Sequence, residues 1–61
     1  MTDEQRQWCA TARQYGGSFV SAFAKAMLCA DEENEQLLMP ALTVFMEKYP
    51  RYLKREEQFQ K

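Results

Sequence analysis

Gly16 and Gly17 are the only glycines in the chain, they stand side by side, and the segments on either side of them read as helix. Paired glycines reach backbone angles closed to other residues and leave amide groups bare, so this joint constrains both the fold and where something else could approach. Before it, Thr2-Asp3-Glu4-Gln5 has the form of a capping box, which starts a helix by exchanging side-chain and backbone hydrogen bonds. Trp8, Ala12 and Tyr15 then recur at steps of four and three, one aromatic stripe with Arg6 and Arg13 at its margins. Gly16 is placed to end this helix in a left-handed turn.

Ser18 is the expected N-cap of a second helix. Phe19, Phe23, Met27 and Ala30 line one of its faces, with Val20, Ala24 and Leu28 on the next. That apolar arc is wider than a surface helix needs. Ala22, Ala24 and Ala26 keep the helix slim, so other helices can pack closely against it. Asp31 is the next N-cap, and Glu32, Glu33 and Glu35 place negative charge at the positive end of a third helix. Leu38, Leu42, Phe45 and Tyr49 follow at helical spacing, flanked by Leu37, Ala41 and Val44. Pro40 is expected to kink or divide this helix, and Tyr49 before Pro50 to stop it near Lys48.

The expected fold is therefore all-α. It is a single domain built as a small bundle of three main helices, near residues 3–15, 18–30 and 32–48, the last kinked at Pro40. Residues 51–61 form a weak fourth helix or a polar tail, with Tyr52, Leu53 and Phe59 its only apolar residues. Phe19, Phe23, Met27, Leu38, Leu42 and Phe45 are the expected core.

At 61 residues such a domain buries too small a share of its surface to be secure alone. Two cysteines, Cys9 and Cys29, make no disulfide framework, and with no histidine the usual four-ligand zinc site cannot be assembled within one chain. Self-association is the remaining source of stability. It also suits a chain that is 46% apolar, with one tryptophan, four phenylalanines, three tyrosines and four methionines.

The net charge of -1 hides opposed blocks. Residues 1–30 carry +1, residues 31–47 carry -5 and residues 48–61 carry +3. Such blocks favour head-to-tail contacts within or between chains over a nucleic-acid face. A helix-turn-helix around Gly16-Gly17 would need a polar, basic second helix, and here that helix is the greasiest segment. DNA is not an expected partner. The run Phe19 to Ala30 is far short of the roughly 20 residues that span a bilayer, and the acidic start does not resemble a secretory signal. A reducing, cytosolic compartment with free thiols is the expectation.

Catalysis is not expected, and neither is a cofactor or a metal. There is no histidine to serve as a base near neutral pH, no phosphate-transfer loop, and no recognisable nucleophile motif. The candidate site is instead a ligand-binding one at the joint. The amides of Gly17 and Ser18 open the second helix toward an anion, Arg13 supplies charge, and Trp8 and Tyr15 supply flat surfaces for a base. Gly16 belongs to the same site. The alternative is a plain interhelical turn in which Trp8 and Tyr15 are core.

The run Tyr15-Gly16-Gly17-Ser18-Phe19-Val20, the Ala-rich helix after it, Ala30-Asp31-Glu32-Glu33-Asn34 and Glu47-Lys48-Tyr49 together resemble short, uncharacterised helical proteins encoded in bacteriophage genomes. The resemblance covers roughly residues 12 to 50. This chain departs from it in having Glu32 where many relatives have Pro, and in lacking an Ala-Phe-Pro near Ala41-Leu42-Thr43. The resemblance implies a phage accessory protein, made in the cytoplasm of an infected bacterial host, that binds something belonging to that host. Two classes follow: a homo-oligomeric sponge that sequesters a nucleotide defence signal at the joint, and an inhibitor that covers a host protein by surface contact.

Overall fold

A computed structural model describes residues 1–53. Three helices, α1 (Asp3–Tyr15), α2 (Ser18–Cys29) and α3 (Glu32–Lys48), are followed by a 3-10 turn over Pro50–Leu53. The protein is all-α, and no helix among the described residues is long and apolar enough to cross a membrane. Of the expected C-terminal segment 51–61, residues 54–61, with Phe59, lie outside the described residues.

Local chemistry accounts for where the helices begin. The Thr2 hydroxyl accepts from the Gln5 amide at 3.1 Å while the Gln5 side chain accepts from the Thr2 amide at 2.9 Å, so the capping box closes. Asp31 accepts from the Asn34 amide at 2.8 Å and caps α3. Its first turn carries Glu32, Glu33 and Glu35, which suits the positive helix end.

Pro40 does not divide α3, which runs unbroken to Lys48. Proline removes the hydrogen bond that the Gln36 carbonyl would have accepted, but Pro40 and Gln36 are both exposed, so water can take its place. One turn on, the Thr43 hydroxyl donates to the Met39 carbonyl at 3.2 Å, a back-bond that helices tolerate on their outer side.

The core is built around α1, which packs against α2 and against the 3-10 turn, and the turn also meets α3. Trp8, Cys9 and Ala12 of α1, Val20, Ala24 and Met27 of α2, Leu42 of α3 and Tyr52 of the turn are buried together. Trp8 is its largest member. Its ring meets Tyr52 edge-on at 5.9 Å, and its indole N–H donates to the Tyr49 carbonyl at 2.9 Å, so the one polar atom taken inside finds a partner.

This corrects the expected core in two ways. Phe19 is 62% exposed, while Phe23, Leu38 and Phe45 are only partly buried. In the other direction, Tyr52 is 3% exposed and joins the core, so the described part of the C-terminal segment, Pro50–Leu53, is a short helical turn tied to α1. Gln7 adds a second tie, its amide donating to the Leu53 carbonyl at 3.0 Å. The start of the chain is fastened to α3, where the Met1 amino group meets the Glu35 carboxylate at 2.8 Å.

Candidate functional site

The α1–α2 joint is a two-residue turn held at several points. The Gly16 amide donates to the Ala12 carbonyl at 2.8 Å, and the Ser21 amide donates to the Gly17 carbonyl at 2.8 Å. The Ser21 hydroxyl donates to the Arg13 carbonyl at 2.7 Å, bonding the end of α1 to the first turn of α2.

Neither glycine has a positive φ. The expected left-handed turn at Gly16 is absent, and its φ of -73° and ψ of 160° are open to any residue. Space is what requires glycine there. A Cβ would stand 2.5 Å from the Ala12 carbonyl oxygen and 3.2 Å from Val20 Cγ1. Gly17 is different, because a Cβ would meet nothing within 4 Å. It, and not Ser18, is the N-cap of α2, and α2 is the one described α-helix without a side-chain cap.

The expected site residues therefore separate. Gly16, Gly17 and Ser18 stay together at the start of α2, with Gly17 and Ser18 exposed. Trp8 is fully buried and offers no ring face to a ligand. Tyr15 is half-buried and packs against the core cluster. Arg13 is exposed and lines an open depression of about 310 Å³ with Ala10 and Gln14 on the outside of α1. Gly17 and Ser18 do not line that depression, so it does not join Arg13 to the open amides. Among the described residues no cluster of three or more potential metal ligands forms.

A different surface stands out, and it was not singled out as a site from the sequence. On α2, Phe19, Ala22, Ala26 and Cys29 are all exposed. Their spacing of three, four and three puts them on one side of the helix. The Phe19 ring leans edge-on against Phe45 at 5.6 Å, and Phe45 in turn meets Phe23 at 4.8 Å. Phe19 thus bridges from α2 to α3 without being covered. On α3, Leu37 is 71% and Val44 58% exposed. The wide apolar arc of α2 was the available signal. That arc is wider than two short neighbours can cover, and α1 and α3 leave the Phe19, Ala22, Ala26 and Cys29 side of it exposed.

The two thiols divide along the same line. Cys9 is buried, and burial, with the Glu35 charge as a lesser cause, pushes its pKa from 9.0 up to about 11. It is an inert core residue. Cys29 is a free cysteine on the exposed side of α2. Comparison of the chain with protein-family models, curated proteins and solved structures returns no match.

Proposed function

We propose that the protein acts by binding without catalysis, as a phage accessory protein that lays the outer side of α2 against an apolar surface of a host protein. The single observation that supports this reading is the exposed row Phe19, Ala22, Ala26 and Cys29. Rows of this kind are how one helix engages a groove or another helix: Phe19 is an anchor, and the alanines let the partner backbone come close. Lys25, the only charge on α2, stands beside the row. The fold does not need these side chains, because its core lies on the opposite side of α2.

Co-purification of the tagged full chain with bacterial lysate proteins tests this. A stoichiometric partner is expected that is lost on Ala22→Arg with Ala26→Arg, while the helical spectrum and melting temperature stay as they were. Retention of the same partner by that variant, or no partner for the wild type, would overturn the reading.

A second reading is a sponge for a host nucleotide signal, and one observation favours it: the amides that open α2 carry no side-chain cap and the space over Gly17 is clear. Such amides suit a phosphate, and Arg13 is exposed nearby in sequence. Thermal shift across cyclic and ADP-ribose-type nucleotides checks it. Stabilisation lost on Gly17→Val or weakened by Arg13→Ala would favour the sponge, and a flat panel would remove it.

A further inference from the structure

The outer side of α3 carries a row of its own, and its order along the helix has a symmetry. At about 100° per residue, Leu37, Ala41 and Val44 share one side, turned well away from the face that buries Leu42. Leu37 and Val44 are among the most exposed large apolar side chains of the described residues. The row continues to Glu33 in one direction and to Lys48 in the other, both exposed. Leu37 and Val44 stand equally far from a point between Pro40 and Ala41, and so do Glu33 and Lys48.

A row built this way complements itself when turned end for end. A two-fold axis through that midpoint sets Leu37 against Val44 of a second copy, and Glu33 beside Lys48, each contact occurring twice. A parallel arrangement would instead bring carboxylate to carboxylate and ammonium to ammonium. The wider charge pattern agrees, since the first turn of α3 holds Glu32, Glu33 and Glu35 while Lys48 and then Arg51 close its other end. Antiparallel helices also set unlike dipole ends together. Among the described residues the one ion pair is that of the Met1 amino group with Glu35, so Glu33 and Lys48 are not engaged with other charges. At the centre stand Ala41 and Pro40, short side chains that let two helix axes come within about 8 to 10 Å.

We propose that two copies of this chain pair through α3, antiparallel, with the two-fold axis between Pro40 and Ala41. The occupant of the exposed α3 row is a second copy. One face of a helix of 17 residues is about 25 Å long, and this is less area than a tight dimer buries, so pairing belongs to the micromolar range and weakens with salt. It does not use the row on α2, and it stands whether or not α2 meets a partner.

Sedimentation equilibrium of the full chain at low salt, from low micromolar to millimolar concentration, tests the pairing. The mass is expected to rise from one chain of 7.2 kDa to two. Glu33→Lys alone and Lys48→Glu alone should each move the midpoint to about tenfold higher concentration, since each sets like charges together at both ends. The double variant should return to within about threefold of wild type, because reversing both partners restores the attraction. Leu37→Gln with Val44→Gln should abolish pairing. All four positions are exposed, and an unchanged helical spectrum in dilute solution verifies the fold of each variant. A wild-type monomer at millimolar concentration, a double variant no better than the single ones, or a dimer indifferent to Leu37→Gln with Val44→Gln would each overturn the proposal. The Ala22→Arg, Ala26→Arg variant should pair as wild type does, and its failure to pair would move the interface off α3.

Discussion

Trp8 and Phe19 are both aromatic residues on helices, and they have opposite fates. Trp8 is fully buried and Phe19 is 62% exposed. Around Trp8 the seam between α1 and the 3-10 turn is closed, with Trp8 and Tyr52 buried edge-on and the indole N–H satisfied. Around Phe19 the seam between α2 and α3 is a line of edge-on rings, Phe19 and Phe23 on Phe45 and then Phe45 beside Tyr49, that is left open on its outer side. The difference teaches that apolar content alone does not assign a residue to the core in a chain this short. One side of the bundle holds the fold together, and the other is available for contact.

The largest test of that contrast is Trp8→Ala, expected to cost about 3 to 5 kcal/mol, comparable to what a core of this size supplies in total. Urea unfolding monitored by circular dichroism should find the variant largely unfolded at 25 °C. A cooperative transition near that of wild type would mean that the closed seam is not the source of stability. Gly16→Ala comes next, at about 1 to 3 kcal/mol, because its Cβ would press on backbone that cannot give way. The neighbouring Gly17→Ser should instead gain about 0.5 kcal/mol, by adding a cap and stiffening the unfolded chain. Equal effects at the two positions in the same unfolding experiment would contradict the packing reason given for Gly16.

Cys9 sharpens the contrast through pH. Its raised value means that the folded protein holds the thiol proton more tightly than the unfolded chain does. That contribution to stability is complete below pH 9.0 and is lost as pH rises toward about 11. Unfolding midpoints measured across this window should fall, and Cys9→Ala should remove the thiol's part of the fall. At pH 8 a thiol reagent is expected to modify Cys29 quickly and Cys9 only on unfolding, with mass spectrometry distinguishing the two. The smallest expected loss is that of Phe19→Ala, under about 1 kcal/mol, since only its edge contact with Phe45 is lost. A cost as large as that of Trp8→Ala would show that the open seam is structural after all.

Much of the helical layout was legible before any coordinates. The bounds 3–15 and 32–48 agree with α1 and α3, and 18–30 differs from α2 by one residue at its end. The joint was also legible as a place, because two adjacent glycines have few other uses. Its chemistry was not. Glycine at 16 suggested a left-handed turn, but the structure uses it to let Ser21 and Val20 approach the end of α1. The candidate site fared similarly: Gly16, Gly17 and Ser18 adjoin by sequence, while Trp8 shares a helical stripe with Tyr15 and yet faces the interior.

What the sequence by itself determined are the features whose causes lie within four residues: the capping box at Thr2, the Asp31 cap and the stop before Pro50. Those hydrogen bonds and steric clashes are local, so their partners are already in view along the chain. The tertiary structure alone decided which of several apolar faces closes. α2 offers apolar side chains nearly all round, and whether Phe19 or Val20 goes inside depends on the side from which α1 approaches and on Tyr52 returning to cover Trp8. The contact of Tyr52 with Trp8 joins residues more than forty positions apart, and the side from which α1 packs on α2 is set across the joint, so no local pattern records either.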